Sequence, residues 1–382
     1  MKNQAKSNIP ELVDDILKEA IGFGASDIHF EPTSTELQVK YRLDGTLKTV
    51  EVLPAAIRDN VISRLKVLGN LLTYRNDIPQ EGRIEGIPGQ PVDSESGHVI
   101  DKRLAVFPTI HGQRAVVRIF YENESLTELN KLGFNPTIES ALKEFARKNQ
   151  GILLLTGPAG SGKSTTLAAL LRYILEQFPG KSIVALEDPV ERAIAGVTQV
   201  QIESRGEMTF PVALRSLLRQ DPEVLMIGEI RDAETAKIAI EAGLTGHLLM
   251  STMHSGNCSG ALLRLLEMNI EPYQVTSGIS AILNQRLVRK LCEHCKKKTA
   301  DGHYESQGCA KCHNTGYHGR VLLAEMVELD GQLRKTILQQ SDMEHLEAVL
   351  ESRGHMKLIQ DGRRLVSAGI TTTDEIERVC KT

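Results

Sequence analysis

Tryptophan is absent from the sequence, and aromatic side chains make up only 4% of it. That removes the stacking platforms on which single-stranded nucleic-acid binders rely. Surplus positive charge is also missing: 45 Lys+Arg stand against 49 Asp+Glu, a net −4, so no basic face for a nucleic-acid backbone is expected. Long apolar runs do not occur. Ile152–Leu155 and Val224–Ile227 are among the longest, far short of the ~20 residues that cross a bilayer, and the N-terminus MKNQAKSNIPELVDD lacks the apolar core of a signal peptide. A cytoplasmic protein is expected. Cysteine is scarce, six in all; Cys258 and Cys380 stand alone, and the other four form two C-x-x-C pairs, which in such a chain favours metal over disulfides.

What is present centres on Gly151–Leu167, GILLLTGPAGSGKSTTL. Ile152 to Leu155 predict a buried strand and Thr165 onward a helix. Between them Gly157, Pro158, Ala159, Gly160, Ser161, Gly162, Lys163 and Ser164 satisfy G-x-x-x-x-G-K-[ST], a phosphate-binding loop in its expected setting. Glycines let several backbone N–H groups face one anion, and the helix N-terminus adds its positive end. Lys163 can reach the β/γ-phosphates, and the Ser164 hydroxyl can hold Mg²⁺.

A chain of 382 residues suggests two or three domains. Residues 1 to about 122 predict a small α/β domain with an antiparallel sheet. Its expected elements are a helix over 10–24, strands at 26–32, 37–43 and 46–50 with an Asp44-Gly45 turn, a helix over 54–72 and strands around 102–107 and 114–120. The second helix presents Ala56, Val61, Ile62, Leu65 and Leu68 on one face. The Gly-, Pro- and Ser-rich stretch 84–99 predicts an exposed loop, and the polar, acidic 121–131 opens a linker assigned to 123–137. From 138 to 382 apolar strands alternate with helices, which predicts a mostly parallel sheet covered on both faces. Within that domain a metal lobe is expected at 287–320 and a helical part at 321–382.

Nucleotide chemistry needs a carboxylate near the metal and a group that positions water. The strand Val224–Ile227 runs into Gly228-Glu229, which places Glu229 at the ligand-binding end of a sheet. Leu186-Glu-Asp-Pro-Val-Glu191 is a second strand ending in carboxylates, Glu187 and Asp188. Strand alternation puts His247 before a strand and His254 just after it. Cys292/Cys295 and Cys309/Cys312, 13 residues apart, can give four thiolates to one tetrahedral Zn²⁺, a closed and therefore structural site. His294 and His313 could compete as ligands. Arg103 and Arg118 lie on the paired strands of the first domain and could lend positive charge to a nucleotide if that domain folds over it.

These pieces in order resemble the ATPases of type II secretion and type IV pilus assembly, the GspE/PilB-like family. The residues that carry the resemblance are Ala25-Ser-Asp-Ile-His-Phe-Glu-Pro32, Arg42-Leu-Asp-Gly45, the phosphate loop through Thr165, the acidic box at 186–191, and Leu218-Arg-Gln-Asp-Pro222 leading into Ile227-Gly-Glu-Ile-Arg-Asp232. They continue with a histidine box from Thr245 to His254, Gln285-Arg-Leu-Val288, the four cysteines and Thr315-Gly-Tyr-His-Gly-Arg320. The resemblance implies a RecA-like P-loop core with a smaller N-terminal α/β (PAS-like) domain, working as a cytoplasmic hexamer on ATP and Mg²⁺. It implies that Glu187 helps hold the metal, Glu229 is the catalytic glutamate, His254 belongs to the histidine box, and Arg103 and Arg118 reach the γ-phosphate. The implied partners are an inner-membrane platform protein and a membrane-recruiting protein, with peripheral attachment through them and no nucleic acid. Retraction members of the family lack the cysteine lobe, which favours assembly. Two departures stand out. Assembly members usually carry a further N-terminal domain, whereas this chain begins almost at the second, and Met253 and Ser255-Gly256-Asn257 replace the usual leucine and threonine-asparagine-aspartate.

Overall fold

The computed structural model describes residues 8–85, 98–122, 127–202, 206–339 and 343–380. The chain divides into two compact units, Met1–Glu124 and Ser125–Thr382.

In the first unit a helix, Ile9–Gly22, starts with Pro10 in its first turn and buries Val13, Ile16, Leu17, Ala20 and Ile21, the 3.6-residue stripe that an amphipathic helix turns to its core. Strands β1 (Asp27–Pro32), β2 (Glu36–Leu43), β3 (Thr46–Pro54), β4 (Gln80–Arg83), β5 (His98–Thr109) and β6 (Gly112–Glu122) form an antiparallel sheet in the order β3-β2-β1-β6-β5-β4. Alternation in β2 buries Leu37, Val39 and Tyr41, and the Tyr41 hydroxyl donates to the Ile16 carbonyl at 2.9 Å. The second helix is shorter than 54–72. A 3₁₀ turn over Ala55–Ile57 leads into Arg58–Leu68, and Ala56 is exposed. The helix stops where Gly69 caps it and Asn70 takes a positive φ of 55°. Most of 84–99 lies outside the described residues; at its ends Ile84 is buried and His98 already starts β5.

The second unit holds a seven-stranded sheet ordered β15-β12-β7-β11-β10-β8-β9. Its strands are β7 (Gly151–Thr156), β8 (Ile183–Glu187), β9 (Thr198–Gln201), β10 (Val224–Ile227), β11 (Leu248–Met253), β12 (Ile279–Leu291) and β15 (Tyr317–Glu328). All neighbours are parallel except β12 with β15. Every residue of β7, β10 and β11 is buried, as befits strands with helices on both faces. On one face lie the helices Pro136–Ala146 and Lys163–Gln177. On the other lie Phe210–Leu217, Ala233–Leu244, Cys258–Glu267 and Pro272–Gly278. Side-chain caps fix several starts: Asn135 accepts from the Ile138 N–H at 2.9 Å, Asp232 from Thr235 at 2.8 Å and Asn257 from Gly260 at 2.7 Å, each worth ~1 kcal/mol. Asn257 is thus the N-cap of the helix Cys258–Glu267.

Three boundaries differ from expectation. Within 123–137, Leu129 and Phe134 are buried against the helices 136–146 and 163–177, so part of that stretch packs as core. The lobe expected at 287–320 is narrower, because β12 runs to Leu291 and β15 starts at Tyr317. What projects is 292–316, with a small hairpin of β13 (Lys296–Lys298) and β14 (Tyr304–Ser306). Residues 321–328 continue β15 as strand, and the helical part starts at Gly331.

Candidate functional site

Four parallel strands of the second unit end side by side, and each leads to one of the expected site elements. β7 leads into the phosphate loop, β8 ends at Glu187, β10 stops two residues before Glu229, and β11 stops just before His254. Register holds them level: Leu186 lies beside Ile227, Ile227 beside Ser251 and Thr252 beside Leu155. All these groups emerge at the carboxyl edge of the sheet, where α/β folds bind ligands.

The loop is shaped by what lies behind it. Gly157 has φ +141°, and a Cβ there would come 2.5 Å from the Gln285 carbonyl oxygen and 2.8 Å from Ser161 Oγ, so only glycine fits. Fully buried Gln285 donates from Nε2 to the Ser161 carbonyl at 2.9 Å. Next to it on β12, buried Arg286 donates from Nη1 to Asn284 Oδ1 at 2.8 Å and from Nη2 to the Gly256 carbonyl at 2.6 Å. Lys163 Nζ donates to the carbonyls of Gly157 and Pro158 at 2.8 and 3.0 Å, which keeps the ammonium over the loop. Burial lowers its pKa, Glu229 opposes the fall and Arg286 adds to it. The buried Ser161 hydroxyl has no protein partner among the described residues. An unpaired buried donor, an ammonium and a helix N-terminus at Lys163 are the complement of a phosphate.

Ser164, Thr165, Glu187, Glu191 and Gly228 line one cleft beside the loop. Burial raises the Glu187 pKa; the Gln199 amide, donating from Nε2 to Oε1 at 2.7 Å, pulls it down, and Glu191 pushes it up. A hydroxyl and a carboxylate in one cleft are hard oxygen donors suited to Mg²⁺. Glu229 pairs with Arg231, and His254 Nε2 lies 3.6 Å from Glu229 Oε2. His247 is elsewhere, with Nδ1 3.1 Å from the Ala242 carbonyl at a helix end, a structural role. Asp232 is spent on its cap.

The four cysteines form a second centre. Their sulfurs all lie within 4.8 Å of one another, with Cys292–Cys309 at 3.9 Å and both Cys295–Cys312 and Cys309–Cys312 at 3.7 Å. Four thiolates ~2.3 Å from a central Zn²⁺ stand ~3.8 Å apart, so the set fits a tetrahedral ion. The N–H groups of Cys309 and Gly316 and the neighbouring thiols bring Cys312 down to about 6 against its burial, while burial pushes Cys292 up and Cys295 up to about 12. His294 Nε2 lies 3.3 Å from Lys311 Nζ, and neither it nor His313 joins the cluster. Arg103 and Arg118 belong to the first unit, opposite one another on β5 and β6.

Several residues of these sites escaped sequence reasoning. Gln199, Gln285 and Arg231 act on the loop or on the carboxylates through side-chain hydrogen bonds and ion pairs. Gln285 and Arg231 sit inside motif stretches that could have flagged them; Gln199 does not.

Residues 2–378 match the family model described as type II/IV secretion system protein. The chain is 38% identical over 382 residues to the type II secretion system protein HxcR of Pseudomonas aeruginosa, covering 100% of this chain and 79% of that one. It is 37% identical over 401 residues to the type II secretion system ATPase E of Vibrio cholerae, covering 100% and 77%. With the type IV pilus assembly ATPase PilB of Thermus thermophilus the identity is 36%, over 98% of this chain and 44% of that one. Among solved structures, the ADP-bound pilus retraction motor PilT superposes with a TM-score of 0.62 at 25% identity, covering 96% of each chain. The Yersinia pseudotuberculosis ATPase DotB reaches 0.72 at 23% identity, covering 100% and 96%, a likeness of fold.

Proposed function

Because the chain belongs to the type II/IV secretion system protein family, we propose that it is an ATP-hydrolysing motor for pseudopilus or pilus assembly. One observation carries this reading: the phosphate loop, Glu187, Glu229 and His254 emerge together at one sheet edge. Gly157 to Thr165 bind the phosphates, with Lys163 on the β/γ-phosphates. Ser164 and Glu187 hold Mg²⁺, which supplies charge neutralisation across the phosphates when bound. Glu229 orients the attacking water and takes its proton, and His254, 3.6 Å away, steadies that carboxylate. Arg103 and Arg118 offset the charge that grows on the γ-phosphate, and Zn²⁺ at Cys292, Cys295, Cys309 and Cys312 staples the lobe.

The motor works as a hexamer, bound peripherally at the inner membrane through a membrane-recruiting protein and passing motion to a platform protein. No helix among the described residues is long and apolar enough to cross a membrane. The names of the curated relatives, secretion ATPases and an assembly ATPase, favour assembly over retraction.

Glu229→Gln keeps the shape and removes the base. It is expected to abolish ATP hydrolysis while a fluorescent ATP analogue still binds; hydrolysis at the wild-type rate would remove Glu229 from the mechanism.

A further inference from the structure

Five strands of the first unit each place one charged residue in a single transverse register. The row runs Arg42 on β2, Asp27 on β1, Arg118 on β6, Arg103 on β5 and Arg83 on β4. Asp101 lies two residues before Arg103 and so on the same face of β5. Four guanidiniums therefore share two carboxylates, and the surplus is positive.

The division of labour within the row is sharp. The carboxylates sit at the base: the Asp27 side chain is 9% exposed and that of Asp101 16%, against 65% for Arg118 and 54% for Arg103. Asp27 accepts from Arg118 Nε at 3.0 Å and from Ser26 Oγ at 2.8 Å, and Arg42 Nε lies 3.4 Å away. Asp101 accepts from Arg103 Nε at 3.2 Å, and Arg83 Nε lies 2.7 Å away. The Arg103 guanidinium also covers the Phe120 ring at 4.9 Å.

Both arginines are gripped through Nε. Their terminal nitrogens carry no hydrogen bond among the described residues, and those two nitrogens are the ones that fork onto a pair of phosphate oxygens. Had the carboxylates taken the Nη pair, the binding edge of each fork would be spent. Fixing a four-torsion side chain before its ligand arrives also lowers the entropic cost of binding.

We propose that Asp27 and Asp101 are positioning residues for nucleotide, holding Arg118 and Arg103 by Nε so that their outer nitrogens are presented to phosphate. The proposal rests on the assignment of those two arginines to the nucleotide made above.

The test is a pair of double-mutant cycles on ATP hydrolysis by the full chain, read as kcat and KM separately and paired with thermal melts. Asp101→Asn and Asp27→Asn are each expected to lower kcat/KM by roughly five- to twentyfold. In an Arg103→Ala chain, Asp101→Asn should cost nothing further, and likewise Asp27→Asn in Arg118→Ala. An undiminished loss in the arginine-free background overturns the proposal, as does wild-type kcat/KM in both asparagine variants. Wild-type hydrolysis by Arg103→Ala and Arg118→Ala would instead sink the assignment of the arginines to the nucleotide. Should Asp27→Asn fail to fold, Asp101→Asn, at a more exposed carboxylate, decides the matter by itself.

Discussion

Burial lifts the Glu187 pKa above its ordinary value while the Gln199 amide holds it back. A raised pKa means that protonation begins at a higher pH than for an exposed glutamate, and a protonated Glu187 cannot hold a cation. On acidification, turnover is therefore expected to fall at a higher pH than an exposed glutamate would set. Gln199→Ala removes a donor that favours the ionised form, so the acidic limb of the kcat/KM profile should move to higher pH, measured across about pH 5 to 8. An unmoved limb would assign it to another group. That Lys163, Ser164, Glu187 and Glu229 stand at one sheet edge was legible in the sequence, because a fixed spacing or the end of an apolar strand places them. Gln199 and Gln285 were not. An amide far along the chain gives no local sign of the carboxylate or carbonyl that it meets, and only pairing between β8 and β9, or between β12 and β7, brings it there.

Elements were read well where a continuous apolar run or a motif announces them, as in β7 and the helix Lys163–Gln177, and poorly where packing overrides composition. The polar stretch after Tyr121 looked like linker, yet Leu129 and Phe134 find a core. The long helix read from apolar spacing over 54–72 stops where Gly69 caps it and Asn70 takes a positive φ; there the chain of Gly82 comes so close that a Cβ on Gly82 would lie 2.2 Å from the Gly69 carbonyl, an approach no helix-period argument detects. The C-terminal helix Thr373–Cys380 yields a prediction of its own. Its Glu375 side chain is fully buried between Arg289 at 2.7 Å and Arg378 at 2.6 Å, and it also accepts from the Arg289 backbone N–H. Burial would raise its pKa, but the two arginines overcome it and bring the value from 4.5 to about 2. A depressed carboxylate pKa stabilises the fold fully above about pH 4.5, and that stability is lost as pH falls toward 2. Glu375→Gln should therefore cost on the order of 2–3 kcal/mol at pH 7 in a urea titration, with the gap to wild type closing on acidification below 4.5. A gap independent of pH would mean that packing, not charge, makes the contact.

For the molecule as a whole, two units, a phosphate-binding α/β core and a four-sulfur centre were all readable from motif order, since each is announced by residues close in sequence. The transverse arginine row was not, because five strands from both halves of the first unit contribute to it. Elemental analysis of protein purified without chelator should find one zinc per chain, and Cys309→Ser with Cys312→Ser should abolish it; retention of metal in that variant would place the ion elsewhere.

β12 has one further consequence. It is thirteen residues long; near its middle Gln285 and Arg286 form the floor of the phosphate loop, and one residue past its end stands Cys292. At ~3.3 Å per residue the two points lie at most ~23 Å apart along one strand, which pairs with β7 as far as Asn284 and with β15 as far as Leu291, across a register shift between Arg289 and Leu291. A pleated strand does not telescope. The floor of the phosphate loop and the root of the sulfur lobe therefore share one continuous strand and are not joined through a loop.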